Sequence, residues 1–189
     1  MGTKITFVIG GARSGKSSFA LHEASRIQGK KAFIATAEAL DDEMRERIRK
    51  HKTERGSEWD TFEEPLEIPS VLSEIKNQYS VIVLDCLTLW LSNLLVRAQS
   101  TDCKTRTAED SVQMFIDKLR KLKNGTRNAE RGTRLFIVSN EVGMGIVPDN
   151  ELSRRFRDLA GRLNRMVAEV ANEVYMVTAG IPIKIKDQK

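Results

Sequence analysis

The chain contains 189 residues, of which 40% are hydrophobic and 30% charged, and it carries a net charge of +5 with a pI near 9.3. This size and balance are those of a globular protein, and they predict one domain over residues 1–189. Two cysteines, Cys86 and Cys103, exclude a disulfide framework, and no apolar run is long enough to span a bilayer. We expect a cytoplasmic protein with free thiols, because no signal-peptide pattern precedes the first apolar run. The basic charge suits a phosphate-rich small substrate and nucleic acid equally.

The first apolar run, KITFVIGG, predicts a buried strand that ends in glycines. The stretch from Gly10 to Ser17 then reads G-x-x-x-x-G-K-S, and a helical pattern begins directly after it. In such a motif the glycines let backbone N–H groups turn toward phosphate oxygens, Lys16 supplies positive charge to the terminal phosphates, and the Ser17 hydroxyl ligates Mg²⁺. A glycine-rich turn of some other kind is the weaker interpretation, because the strand and helix that the motif requires both flank it. The sequence therefore predicts a nucleotide-binding domain.

A second strand, KKAFIATA, leads into a basic helix that carries MRERIRKHKTER and should end at Gly56. His51 lies on this helix with Arg47 and Arg55 four residues away on either side, so the three residues share one face. The positive charges and partial burial favour the neutral imidazole, which can attack a phosphorus atom. From residue types alone, an ordinary histidine on a charged helix remains the more common case.

After a helix that follows Pro69, the run SVIVLDC predicts a third buried strand that ends at Asp85. An acid at the end of such a strand is the usual second Mg²⁺ position in phosphate-loop proteins, and the alternative is an aspartate that caps the next helix. The apolar run LTLWLSNLLV predicts that helix. A polar loop from Arg97 to Ser111 and a helix over residues 111–123 follow.

The run RLFIVSNEVG predicts another strand, with Glu141 just beyond its carboxyl end. Glu141 could orient a metal-bound water or an attacking hydroxyl, or it could cap the following turn, and the sequence leaves both roles open. A long helix from Asn150, a late strand EVYMV and a basic tail IKIKDQK complete the chain.

Strands and helices alternate along the whole sequence. This order predicts an α/β fold with a mostly parallel sheet, helices on both faces and right-handed crossovers. Ligands bind such sheets at the carboxyl ends of the strands, where the glycine loop, Asp85 and Glu141 all lie.

Six segments appear in one order: GGARSGKS, IATAEALDDEMRERIRKHK, VIVLDC, SNEVGMGIVP, FRDLAGRLNR and GIPIKIK. Together they resemble the adenosylcobinamide kinase / adenosylcobinamide-phosphate guanylyltransferase family of cobalamin biosynthesis. The resemblance covers nearly the whole chain and is weakest from Arg97 to Ser111 and across NGTRNAERGT. It implies a RecA-like P-loop NTPase fold and a homotrimer.

The resemblance also implies two activities: phosphorylation of adenosylcobinamide with ATP or GTP, and Mg²⁺-dependent transfer of GMP from GTP to adenosylcobinamide phosphate. The second step passes through a GMP–histidine, which falls on His51 and reverses the preference stated above; Lys16 joins it as a catalytic residue. Some members of the family carry two adjacent histidines in this helix, whereas here Lys50 precedes His51. The implied metal ligands are Ser17 and Asp85. The implied nucleotide contacts are Gly10, Gly11, Ala12, Arg13, Ser14, Gly15, Lys16, Ser17, Thr36, Ala37, Glu38, Lys52, Thr53, Glu54, Arg55, Glu63 and Asp85.

Two other functions stay open on the sequence. A plain P-loop small-molecule kinase would need Lys16, Mg²⁺ and a substrate hydroxyl, but not His51. A RecA-type nucleotide switch or ATPase would fit the basic pI, although the chain shows no basic groove interleaved with aromatic residues. We therefore expect a corrinoid small-molecule substrate, no nucleic-acid partner and no membrane span.

Overall fold

The computed structural model describes residues 2–39, 42, 45–46, 49, 52–53, 56–100, 106–125 and 132–188. The elements bounded within these residues are, in chain order, β1 (Lys4–Gly10), α1 (Lys16–Ser25), β2 (Lys31–Ala35), β3 (Trp59–Glu63), α2 (Ile68–Ile75), β4 (Val81–Asp85), α3 (Leu87–Ser100), α4 (Ala108–Lys123), β5 (Arg134–Asn140), α5 (Glu151–Val170), β6 (Glu173–Thr178) and β7 (Ile181–Asp187). The residues described between 42 and 53 are helical as well, as the basic helix predicted before Gly56 requires.

The strands form one seven-stranded sheet in the order β3-β2-β4-β5-β1-β6-β7. Every neighbouring pair is parallel except β6 and β7, which are antiparallel. Because six strands run in the same direction, their carboxyl ends share one edge of the sheet. At that edge β5 separates β1, which ends at the glycine loop, from β4, which ends at Asp85.

Helices cover both faces of the sheet. In β1, Ile5, Phe7 and Ile9 point into a large core with residues of α2, α3, α4 and α5, whereas Val8 points into a smaller core with Ala20 of α1. The alternation follows from the two-residue repeat of a strand, and burial on both faces explains why β1 reads as a continuous apolar run. The predicted fold class, an α/β protein with a mostly parallel sheet between helices, is confirmed.

Two strands were not predicted from the sequence. The segment read as a basic tail, IKIKDQK, overlaps β7, which begins two residues earlier. β7 pairs with β6 through a two-residue turn at Ala179 and Gly180, both with positive φ (50° and 80°). Such a turn matches the twist of a β-hairpin. At the opposite edge, β3 has the short sequence WDTFE, in which Trp59 is buried, Phe62 is half-buried and the other three residues are exposed.

Two helix boundaries also differ from the prediction. Helix α3 continues to Ser100, inside the stretch predicted as a loop from Arg97. Helix α4 begins at Ala108 rather than at residue 111, because Thr107 and Asp110 form a capping box at its start. Among the helices of the described residues, none combines the length and the apolar character needed to cross a membrane.

Candidate active site

The glycine loop between β1 and α1 packs closely against the β6–β7 hairpin. Gly15 has a left-handed backbone (φ 92°), and a Cβ atom there would lie 3.3 Å from Gly180 Cα. A Cβ atom on Gly10 would overlap the carbonyl oxygen of Val177. The N–H of Gly180 donates to the carbonyl oxygen of Ser14 at 2.9 Å. The two motif glycines are therefore required by conformation and by close packing, and the hairpin supports the loop from one side.

Two polar side chains of the loop are buried within it. Lys16 is 7% exposed, and its Nζ donates to the carbonyl oxygen of Gly11 at 2.9 Å. The Ser14 hydroxyl is buried and has no hydrogen-bond partner among the described residues. A buried hydroxyl without a partner is unusual in a folded protein, and an oxyanion bound in the loop would satisfy it. Beside these groups, Ala12 and Arg13 are exposed and Ser17 is partly exposed.

Thr36 joins the carboxyl ends of β2 and β4. Its side chain is fully buried, and its Oγ1 accepts from the N–H of Cys86 and donates to the carbonyl oxygen of Cys86, both at 2.8 Å. Its own N–H donates to the carbonyl oxygen of Asp85 at 3.1 Å, and its carbonyl oxygen accepts from Asn93 Nδ2 at 2.8 Å. Thr36, predicted as a nucleotide contact, therefore has the geometry of a residue that positions Asp85.

Charged groups near the end of β4 shift the pKa of the Cys86 thiol. Burial raises the pKa of this thiol most, and the Asp85 carboxylate raises it further. A hydrogen bond with Thr88 and the positive charge of Lys16 act in the opposite direction. Lys16 and Asp85 thus lie within electrostatic range of one sulfur atom, although they follow two strands that are not neighbours in the sheet.

A second group of predicted residues lines a cavity of about 670 Å³ next to the ends of β2 and β3. Lys52 forms a salt bridge with Glu63 across this cavity wall. The lining residues are Ala35, Ala37, Glu38, Ala39, Arg45, Arg49, Lys52, Glu63 and Pro65. Four of the predicted nucleotide contacts, Ala37, Glu38, Lys52 and Glu63, are therefore brought together here, with two further arginines.

The remaining predicted residues fall into two sets. Thr53 is exposed on the helix before Gly56, and its hydroxyl donates to the carbonyl oxygen of Arg49 at 3.1 Å. His51, Glu54 and Arg55 lie outside the described residues.

A series of hydrogen-bonded polar side chains supports this edge of the sheet and was not predicted from the sequence. Asn140, at the end of β5, donates from Nδ2 to Thr88 Oγ1 at 2.7 Å, and Thr88 contacts Cys86 Sγ at 3.2 Å. The carbonyl oxygen of Asn140 accepts from Nδ2 of the buried Asn164 at 3.0 Å. Asn164 could have been found from the sequence, because it is a polar residue next to Leu163 on the apolar, buried face of α5. Such a buried asparagine usually forms hydrogen bonds inside the protein.

Glu141 is engaged in the turn that follows β5. Its N–H donates to the carbonyl oxygen of Gly10 at 2.9 Å, and its Oε1 accepts from the N–H of Gly143 at 2.6 Å. Of the two roles that the sequence left open, the structure shows turn capping.

A glycine loop between a buried strand and a helix, with a lysine folded onto it and an acid two strands away, defines a phosphate-loop nucleotide-binding protein. A solved structure of an ATPase from the type III secretion system of pathogenic bacteria shares this fold, with a TM-score of 0.53 at 13% identity. The match covers 93% of this chain, which spans about half (51%) of that chain.

The chain belongs to the cobinamide kinase / cobinamide phosphate guanyltransferase family, whose model matches residues 6–185. A bifunctional adenosylcobalamin biosynthesis protein, CobP of Pseudomonas aeruginosa, is 37% identical over 187 residues, with 96% of each chain covered. The proteins of the same description named CobU from Salmonella typhimurium and Escherichia coli are both 36% identical, with 95% of this chain and 98% of each relative covered. The predicted family, a transferase of cobalamin biosynthesis with kinase and guanylyltransferase activities, is confirmed.

Proposed function

We propose that this protein, acting as a single catalytic domain, phosphorylates the side-chain hydroxyl of adenosylcobinamide and then transfers GMP from GTP onto the new phosphate. The observation that carries the proposal is the assembled phosphate loop, with Gly15 in the left-handed region and Lys16 buried against Gly11, in a chain that matches the family over residues 6–185. The first reaction uses ATP or GTP as phosphoryl donor, and the second uses GTP as a substrate.

The phosphate loop suits the β- and γ-phosphates of the nucleotide. Its backbone N–H groups, the unpartnered Ser14 hydroxyl and the start of helix α1 all favour an anion. The Lys16 ammonium already contacts a loop carbonyl, so a bound phosphate would replace or share that contact. The cavity beside Lys52 and Glu63 offers a second set of contacts next to the same edge of the sheet.

Ser17 and Asp85 fit a Mg²⁺ ion chemically, because both offer the oxygen donors that this ion prefers. Within the described residues, no group of three or more histidine, cysteine, aspartate or glutamate side chains could hold a metal. The ion would therefore take its other ligands from the nucleotide phosphates and water, which is how Mg²⁺ usually binds beside a nucleotide. Bound there, Mg²⁺ would stabilise negative charge on the leaving phosphates.

His51 is the proposed nucleophile of the guanylyl step. One imidazole nitrogen of the neutral ring attacks the α-phosphorus of GTP, the bond from that phosphorus to the bridging oxygen breaks, and pyrophosphate leaves. A phosphate oxygen of the corrinoid then attacks the same phosphorus, the P–N bond breaks, and His51 regains its lone pair. Support comes from three basic residues close to it in the sequence, since Arg45, Arg49 and Lys52 line the cavity beside the ends of β2 and β3.

The decisive experiment is incubation with GTP labelled at the α-phosphorus. A phosphoramidate should appear as label that resists alkali and is lost in acid. His51→Ala should abolish the labelling, and His22→Ala is the matched control because these are the only two histidines in the sequence. Undiminished labelling of His51→Ala would refute the assignment, and full activity of that variant toward every substrate would instead indicate a plain kinase.

The proposed assembly is a homotrimer in the cytoplasm. Strand β7 lies at the edge of the sheet and exposes Ile181, Ile183 and Ile185 to 64%, 52% and 62%. An apolar edge strand is costly to leave in water, and a neighbouring copy would cover it. Light scattering should give three times the chain mass, and Ile183→Lys should lower it. A reducing compartment that supplies GTP also suits the buried thiol of Cys86.

A further inference from the structure

The loop between β5 and α5, residues 141–150, is held at both ends. Its first residue is tied to the phosphate loop through the hydrogen bond from Glu141 to Gly10, and its carboxylate fixes the next turn. At the far end, Arg154 Nη1 donates to the carbonyl oxygens of Pro148 and Asp149 at 3.0 and 2.5 Å. The loop therefore has a defined position next to the nucleotide site.

The middle of this loop is strongly apolar and open to solvent. Met144, Ile146 and Val147 are exposed to 81%, 96% and 58%, and we call these three side chains the apolar tip. A Cβ atom on Gly145 would meet no described atom within 4 Å, so open space lies beside the centre of the tip. Water contact with three large apolar side chains on a braced loop is unfavourable, and such a surface marks a binding site.

We propose that the apolar tip binds the methyl-rich corrin ring of the acceptor substrate; the inference rests on the proposed function. The acceptor hydroxyl must approach the terminal phosphate of a nucleotide held in the phosphate loop. The bulk of a large acceptor must then rest on the surface beside that loop. The tip lies on a segment joined to Gly10 by a hydrogen bond, at the same edge of the sheet. This position favours the acceptor over a second copy of the chain, for which β7 offers a surface at the edge of the sheet.

The test compares binding of adenosylcobinamide by the wild-type protein and by Met144→Ser/Ile146→Ser. Affinity is measured by titration calorimetry in the presence of a non-hydrolysable GTP analogue, so that no turnover is needed. Loss of two apolar contacts should weaken corrinoid binding by about 10-fold to 100-fold. Met114→Ser is the matched control, because Met114 is a 43% exposed methionine on α4. The GTP-analogue affinity and the native mass should be unchanged in both variants.

Three results would overturn the inference. The first is corrinoid affinity of the double variant within twofold of wild type. The second is a loss of affinity accompanied by a smaller native mass, which would make the tip a contact between copies. The third is a wild-type protein that does not bind adenosylcobinamide at all. Wild-type binding without product, in contrast, would count against the proposed reactions and leave the comparison of affinities valid.

Discussion

Replacing Thr36 with valine tests whether one buried hydroxyl holds the ends of β2 and β4 together. Valine preserves the shape of the side chain but removes the oxygen that bridges the N–H and the carbonyl of Cys86. The Cys86 carbonyl oxygen still accepts a hydrogen bond from the N–H of Trp90 at 3.2 Å, so losing the bond from Thr36 costs this oxygen little. The Cys86 N–H has no such replacement and would be left buried without an acceptor.

The expected loss of stability follows from the Cys86 N–H alone, which is left without an acceptor. A buried polar group without a partner costs about 1–3 kcal/mol, so we expect Thr36→Val to lower the free energy of unfolding by about 2 kcal/mol. For a chain of this size the melting temperature should fall by about 4–8 °C. Because Asp85 directly precedes Cys86, Mg²⁺-dependent GTP binding should also weaken, by about 10-fold.

Urea and thermal unfolding, followed by circular dichroism, measure the effect. Thr61→Val is the matched control, since Thr61 is exposed on β3 at the edge of the sheet. Thr36→Ser, which keeps the hydroxyl, should remain closer to wild type than Thr36→Val. The reasoning fails if Thr36→Val and Thr61→Val unfold within about 0.5 kcal/mol of each other.

Three further predictions concern the loop, the thiol and an ion-pair cluster. Gly15→Ala should weaken GTP binding and destabilise the fold by about 1–2 kcal/mol, because alanine is strained at φ 92°; calorimetric titration that shows wild-type affinity would contradict this. Because burial and the Asp85 carboxylate raise the pKa of Cys86, its thiolate forms only at higher pH, and a disulfide reagent at pH 8 should modify it after unfolding but not before. Burial alone would raise the pKa of Glu173, but hydrogen bonds from Lys184 and Lys4 outweigh it and lower this pKa. The resulting stability is present above the unfolded pKa and is lost as pH falls through the lower folded value. Glu173→Gln should therefore be less stable than wild type by about 1 kcal/mol at pH 7, and this difference should shrink as the pH is lowered below the usual range of a glutamate; equal urea midpoints at pH 7 would refute the assignment.

The chemistry of the phosphate loop could be predicted from the sequence because it depends on neighbours along the chain. A strand, two glycines, Lys16 and Ser17 occur within one short segment, and each has a local reason to be there. Strands β1, β4 and β5 were also predictable, since burial on both faces leaves a continuous apolar run. The order of motifs was sufficient to identify the family.

Edge elements escaped prediction because their strand conformation depends on pairing rather than on composition. β3 is short and mostly exposed, with Trp59 and Phe62 as its only apolar residues, and β7 reads as a charged tail, yet hydrogen bonds to β2 and β6 make them strands. An edge strand buries little, so its sequence need not show an apolar pattern.

Tertiary structure alone decided which residues meet. Thr36 and Cys86 are 50 positions apart, and Asn140 and Thr88 are 52 positions apart. Both pairs nevertheless form hydrogen bonds at the edge of the sheet where the parallel strands end. The resemblance implies that Lys52 and Glu63 belong to one site, and the structure joins them in an ion pair between the helix before Gly56 and the end of β3. Local patterns determine elements and motifs, whereas contacts between distant residues depend on strand order, and that order is set by the packing of the whole sheet.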